Sequence, residues 1–350
     1  MLTIEKIPSK MKALVLHNIG DLRLDEIDVP QIKEESVLLH IKNCGICSSD
    51  IERVFINGTY HFPTIPGHEF SGEIVGVYDD KDKDLLGKKA SVFPLLPCRK
   101  CSACKDEKYA QCANYNYFGS RCDGGFSEYL VVPKWNLVFF DNMDYDVAAL
   151  CEPAAVALHA TKKINITQNS KILVLGTGTI GLLIAMFIKT KGGNVVVGAR
   201  KKESIEYINK LGLEAIDTTN LKEELTRFGG GFDYIFEAVG TNESISQCIK
   251  AANNFAKIVV IGNPKDNLNI EKNIYWKVLR KELTITGTWN SSYNSAINDW
   301  QEALEFMKSN YNTFKKLITG TYSLEKYEEA FNLLRNHKKT KVKVMFKIDR

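Results

Sequence analysis

Four cysteines fall in one short stretch, Cys98-x2-Cys101-x2-Cys104-x7-Cys112. Two-residue gaps let a turn present successive sulfurs, and the last sulfur closes the set from a returning segment. Four thiolates around one tetrahedral ion leave no position for water, so such a site is structural. An iron–sulfur cluster takes the same donors. The chain has nine cysteines, an odd number, and in a reducing compartment this clustering favours metal over disulfides.

A second constellation is spread over three distant segments. "NCGICSSD" holds Cys44, Cys47, Ser49 and Asp50; "PGHEF" holds His68 and Glu69; "LCEPAAVALH" holds Cys151, Glu152 and His159. Singly these are weak signals. A His-Glu pair is usually surface polarity, and Cys44-x2-Cys47 alone suits a redox motif. Together they supply thiolate, imidazole and carboxylate, and three protein ligands plus an exchangeable position make a catalytic zinc site.

A third pattern is Gly176-x-Gly178-x-x-Gly181, between the apolar run "KILVL" and an apolar helical run that Thr179 and Ile180 open. The first glycine permits the turn, the second lets a pyrophosphate approach, and the third lets helix and strand pack. The helix N-terminus then faces the phosphates. About twenty residues further on, an NAD site carries an acid for the ribose 2′-hydroxyl. Here the chain reads Gly198-Ala199-Arg200-Lys201-Lys202, with Ala199 in the acid's place. A missing carboxylate removes repulsion toward a 2′-phosphate, which Arg200 can hold by paired charge-assisted bonds while Lys201 or Lys202 adds charge. NADP(H) is therefore expected ahead of NAD(H). The same residues would also make an ordinary solvated turn.

The elements that must position these groups fall into two kinds. Residues 11–140 are β-rich, with short apolar runs such as "KALVLH", "SVLLHIK", "GEIVGVY" and "GGFSEYLVVP". Helical patterning takes over around Val147–Lys163. Then strands and helices alternate: "KILVLG", "GTIGLLIAMFIKTKG", "NVVVGA", "KESIEYINKLG", "YIFEAVG", "SISQCIKAA", "KIVVIG" and "LTITG". That alternation predicts a doubly wound parallel sheet, an α/β fold. The tail carries an amphipathic helix, "NDWQEALEFMKS", and an alternating strand, "VKVMFKI", expected to rejoin the first domain. The reading sets a β-rich catalytic domain at 1–160 and 298–350, a cysteine lobe at about 95–115, and a nucleotide-binding domain at 161–297.

The 350 residues carry a net charge of +4, too little to mark a nucleic-acid or membrane-surface protein. No apolar run approaches the ~18–20 residues of a membrane span. The segment MLTIEKIPSK lacks a signal peptide's apolar core, so a cytoplasmic place is expected.

Together, CGICSSD, PGHEF, the four-cysteine lobe, GSRCDGGFSEYLVV, Glu152-Pro153 and GTGTIG resemble the zinc-dependent medium-chain alcohol dehydrogenases over nearly the whole chain. Within them "GHEFSGEIVGV", "PLLPCRKC", "QCANYNYFGSRCDGGF" and "LRKELTITGTWNSS" are most similar to the galactitol-1-phosphate 5-dehydrogenases. The resemblance implies a GroES-like catalytic domain with a Rossmann domain, and two zinc ions per chain. It implies that Cys47 and His68 ligate the catalytic zinc, with Glu152 as third protein ligand in the polyol branch and Glu69, beside the metal, as the alternative ligand that replaces or joins water there. Cys98, Cys101, Cys104 and Cys112 hold the structural zinc.

Cys44, Cys122, Cys151, Cys248 and His159 are then structural residues, and Asp50 supports the ligands. Ser49 takes the place of the first hydroxyl of a proton relay. Where many relatives complete it with His, this chain has Glu52. The implied reaction moves hydride between a nicotinamide cofactor and a secondary alcohol of a polyol or polyol phosphate, first choice galactitol 1-phosphate to tagatose 6-phosphate. NADP use departs from the NAD habit of that branch. Sorbitol-, threonine- and simple-alcohol enzymes are the sibling alternatives, and a zinc-binding regulatory protein the non-enzyme one. Arg121, Lys277 and Arg280 are candidate anchors for a substrate phosphate, and Tyr60 and His61 candidate pocket residues. A homodimer or homotetramer is expected, with no nucleic-acid or membrane partner.

Overall fold

The computed structural model describes residues 2–3, 6–335 and 342–348. The chain forms two compact units, Met1–Glu152 with Ser292–Arg350, and Pro153–Ser291. The divisions lie several residues before the 160/161 and 297/298 of the sequence reading. The reason is local. Tyr293 donates its hydroxyl to the Trp135 carbonyl at 2.9 Å, and the Asn294 amide donates to the Glu107 carbonyl at 3.2 Å, so the chain is tied to the first unit by that point. At the other end, the helix Cys151–Thr161 begins in one unit and continues in the other.

The first unit is built on an eight-stranded sheet. Its long central strand Ser36–Ile46 pairs antiparallel with Glu69–Val77, Tyr129–Pro133 and the tail strand Lys343–Lys347. Ser36–Ile46 is buried along almost its whole length, because these partners and the core cover both faces. Leu39, Ile41, Ile74, Val132, Phe126 and Phe346 are at the centre of that core, each almost fully buried. A fully buried side chain of this kind contributes about 1.5–3 kcal/mol. The register sets Gly45 opposite Glu69 on one side and opposite Met345 on the other.

The second unit is a six-stranded, all-parallel sheet. Its order is Glu214–Asp217, Asn194–Ala199, Lys171–Leu175, Phe232–Glu237, Ala252–Val260, Thr284–Gly287. This is the doubly wound Rossmann order, and its switch point is between Lys171–Leu175 and Phe232–Glu237. The helix Thr179–Thr190 follows the first strand, and eight of its twelve residues are buried, as a sheet-covering helix requires. It stops at Lys191, and Gly192 follows with φ +80°, a left-handed step that glycine takes without penalty. Glu214–Asp217 and Thr284–Gly287 are its two edge strands.

Candidate metal centres and nucleotide cleft

The cysteine lobe is a tight knot. Cys101 begins the short helix Ser102–Lys105, and a turn at Tyr109–Gln111 delivers Cys112. All four sulfurs lie within 4.8 Å of one another, and none is in a disulfide. Cys98 and Cys104 Sγ are 3.9 Å apart, Cys101 and Cys112 Sγ 3.8 Å. A zinc tetrahedron with ~2.3 Å bonds has sulfurs roughly 3.8 Å apart, so the set fits one ion. A multi-iron cluster binds its thiolates to different metal atoms and needs them further apart. Backbone N–H groups of Ala113 and Cys104 lower the Cys101 thiol to about 6. Burial, reinforced by the neighbouring sulfurs of Cys112 and Cys101, pushes Cys104 up to about 12.

The second constellation assembles around the end of Ser36–Ile46. Cys47 caps the helix Ser48–Glu52, and its backbone N–H donates to Asp50 Oδ2 at 2.9 Å. Asp50 is fully buried. Its Oδ1 is 3.2 Å from His68 Nδ1 and 3.2 Å from Arg53 Nη1. Burial works against charge on His68, yet the Asp50 carboxylate holds the imidazole well above its ordinary value. Arg53 Nη1 also donates to Ser49 Oγ at 3.0 Å. The ligand atoms of Cys47, His68 and Glu69 lie within 4.8 Å of one another.

Glu152 stands outside that closest trio. It is buried, and Tyr117 donates its hydroxyl to Glu152 Oε1 at 3.1 Å. Burial raises its carboxyl to about 7; the Glu69 charge adds to the rise and His68 opposes it. Glu69 is engaged elsewhere, because Lys343 Nζ lies 2.8 Å from its Oε1. A cysteine sulfur, an imidazole oriented through Nδ1 and one buried carboxylate are a donor set that fits one zinc ion, with Glu69 beside it tied to Lys343.

The other cysteines are spread through the fold. Cys44 is buried and donates to its neighbour Gly45 at 3.7 Å, and Cys151 donates to the Trp300 carbonyl at 3.6 Å. Cys248 belongs to the core of the second unit, and Cys122 packs against the core of the first.

In the second unit a cavity of about 330 Å³ opens at the switch point, lined by Gly176, Gly178, Ala199, Arg200, Thr218 and Glu243 among others. Gly176 has φ +133°, and a side chain there would meet the Ala238 carbonyl at 2.9 Å. Gly178 faces open space, room that a pyrophosphate needs. A side chain at Gly181 would strike the Gly176 carbonyl. Thr179 and Ile180 open the helix but do not line the cavity, nor does Lys201, which caps the next helix. Arg200 Nη1 is paired with Glu243 Oε2 at 3.0 Å, both side chains well exposed.

The alcohol dehydrogenase GroES-like domain matches residues 33–141 and the zinc-binding dehydrogenase family residues 179–309. Over 333 residues the chain is 31% identical to galactitol 1-phosphate 5-dehydrogenase of Escherichia coli K12, covering 91% of this chain and 95% of that one. The chain belongs to the zinc-dependent medium-chain alcohol and polyol dehydrogenases. Sorbitol dehydrogenase of Bacillus subtilis is 28% identical over 353 residues, 97% of this chain and 98% of its own. The crystal structure of galactitol-1-phosphate dehydrogenase from Escherichia coli matches with a TM-score of 0.86 at 31% identity, covering 96% of this chain and all of that one. An alcohol dehydrogenase from Escherichia coli CFT073, complexed with NADH, matches at 0.88 and 27%, covering 97% of this chain and all of that one.

Four residues of this dehydrogenase have no motif to announce them. Lys343, Arg53 and Tyr117 each contact a candidate ligand or its support, and Glu243 pairs with Arg200. Lys343 did leave a trace: it stands in an alternating strand at a position that proves buried.

Proposed function

We propose that the dehydrogenase oxidises a secondary hydroxyl of a phosphorylated polyol, with galactitol 1-phosphate to tagatose 6-phosphate the first choice. The carrying observation is that Cys47 and the adjacent pair His68 and Glu69 bring their ligand atoms within 4.8 Å of one another, close enough to Glu152, far along the chain, for the His68 and Glu69 charges to shift its carboxyl. The phosphorylated substrate rests on the 31% identity to galactitol 1-phosphate 5-dehydrogenase along nearly the full chain.

Cys47, His68 and Glu152 would hold the catalytic zinc, and Cys98, Cys101, Cys104 and Cys112 the structural one. When bound, zinc supplies Lewis-acid activation of the substrate oxygen, and the nicotinamide supplies the hydride acceptor. The protein's own part is orientation and charge. Asp50 fixes the His68 ring through Nδ1, leaving Nε2 for the metal. Tyr117, kept protonated by burial and by the neighbouring Glu152 charge, donates to that carboxylate and fixes it. Lys343 holds Glu69 by a buried ion pair and would compete with a bound zinc ion for it.

Ser49 Oγ accepts from Arg53, which leaves the hydroxyl a second lone pair for the substrate proton and its own proton to pass on. Arginine does not deprotonate in proteins, so the proton does not leave through Arg53.

In the nucleotide cleft, Gly176, Gly178 and Gly181 shape the pyrophosphate cradle. NADP(H) is favoured over NAD(H), with Arg200 on the 2′-phosphate. The Arg200–Glu243 pair does not stand in the way: an exposed ion pair contributes about 0.2–1 kcal/mol, and a charge-assisted bond to phosphate about 1.5–3 kcal/mol.

The working protein is a homodimer or homotetramer. Supporting this, the edge strand Thr284–Gly287 leaves Ile285 47% exposed, with exposed Trp276, Leu279 and Trp289 in the same unit. Paired edge strands remove such a liability. Among the described residues no helix is long and apolar enough to cross a membrane. We assign the protein to the cytoplasm, where thiolate metal sites persist.

The test is a turnover screen of zinc-loaded protein with galactitol 1-phosphate, other polyol phosphates, free polyols and threonine, each with NADP and NAD. A polyol phosphate giving the highest kcat/KM is expected. A higher value for free sorbitol or for threonine rejects the substrate.

A further inference from the structure

We propose that Arg121, clamped between Tyr60 and Tyr115, is the anchor for the substrate's phosphate group. The inference rests on the phosphorylated-polyol reading above. The Arg121 guanidinium carbon lies 4.0 Å from the Tyr60 ring centroid and 4.5 Å from that of Tyr115, and Nη2 donates to the Tyr60 hydroxyl at 3.0 Å. Tyr60 is itself 69% exposed, so this stack is outside the core. Among the described residues no carboxylate pairs with Arg121, whereas Arg23, Arg53 and Arg200 each have one. The ring contacts and the one bond to Tyr60 leave the other in-plane N–H groups of the guanidinium for a ligand. Those groups match two oxygens of a phosphate.

The place is equally specific. The Arg121 backbone N–H donates to the Tyr117 carbonyl at 3.0 Å, and Tyr117 is the residue that fixes Glu152. The Tyr115 ring lies 6.3 Å from that of Tyr117, which lies 5.7 Å from the His68 ring. One aromatic wall therefore runs from the metal ligands to the clamped cation. A second bond ties the loop down: the Tyr60 N–H donates to the Ser120 carbonyl at 3.3 Å. A polyol phosphate whose hydroxyl sits at the metal would extend along this wall, with its dianionic end at Arg121.

The experiment compares wild type, Arg121→Gln and Arg121→Lys on galactitol 1-phosphate and on an unphosphorylated polyol. Inorganic phosphate is then added as a competitor of the unphosphorylated substrate. For Arg121→Gln the kcat/KM ratio between phosphorylated and unphosphorylated substrate should fall roughly ten- to a hundredfold. The fall should appear in KM with kcat little changed, and competition by inorganic phosphate should disappear. Arg121→Lys should retain part of the preference, because it keeps the charge and loses the fork. An equal fall for both substrates would mean a loop latch rather than an anchor, and overturns the proposal. If Arg121→Gln keeps both the preference and the phosphate competition, the anchor is elsewhere and the substrate reading stands. A wild type with neither property overturns the anchor and the substrate reading together.

Discussion

Lys343 and Glu69 form an ion pair with Nζ 2.8 Å from Oε1, their side chains only 3% and 2% exposed. The pair passes over Gly45, where a Cβ would collide with the Glu69 carboxylate. Removing one partner of a buried pair strands the other's charge and costs about 3–5 kcal/mol. Lys343→Met should destabilise the first unit by that amount in urea unfolding, and the further change Glu69→Gln should recover part of the loss. A change below about 1 kcal/mol would mean that water reaches the pair and screens it.

Tyr117 and Glu152 give a sharper prediction about metal. Tyr117→Phe keeps the ring packed near His68 and removes only the donor to Glu152. Loss of such a supporting contact typically costs 10- to 100-fold in metal affinity or activity. Titration with a chelator of known zinc affinity should show weakening of that order at one site per chain and none at the other. Unchanged affinity at both sites would remove Glu152 from the ligand set.

Where the information was local, the sequence was legible. The four cysteines lie within one short lobe, and the three glycines lie at one strand-to-helix turn. Alternating strand and helix patterns implied a doubly wound sheet, and the six parallel strands have that order. The partners of the site were not legible. Lys343 is 274 residues from Glu69 in sequence, and only the pairing of the tail strand with Ser36–Ile46 brings them together. Tyr117 reaches Glu152 across 35 residues, and Arg200 reaches Glu243 across 43. No periodicity encodes such pairs, because each depends on two elements meeting at one register. The domain divisions were blurred for a related reason: the helix Cys151–Thr161 belongs to both units.

The cysteine lobe should behave as a folding element. Cys101→Ser removes one of the four sulfurs and should lower thermal stability and raise protease sensitivity within 95–115, because binding of a structural ion at the proposed site would be coupled to local folding. Chelator treatment of the wild type should cause the same local change. A variant as stable and as protease-resistant as the parent would mean that the lobe folds without an ion.

Cofactor choice should respond to both members of the Arg200–Glu243 pair, in opposite directions. Arg200→Ala should lower kcat/KM for NADP by about ten- to a hundredfold and change NAD little. Glu243→Gln frees the arginine and removes a negative charge from the cleft, so kcat/KM for NADP should rise by up to about fivefold. Ala199→Asp should shift preference toward NAD. A wild type that favours NAD by tenfold or more would show that "GARKKES" is only a solvated turn.

The most direct test of the catalytic centre is zinc content measured together with turnover, for wild type and for His68→Ala. We predict two zinc ions per wild-type chain. His68→Ala should keep one, remain folded by circular dichroism, and lose dehydrogenase turnover. Full activity in a wild type holding one zinc or fewer, or in a His68→Ala protein, would contradict a catalytic zinc at Cys47, His68 and Glu152.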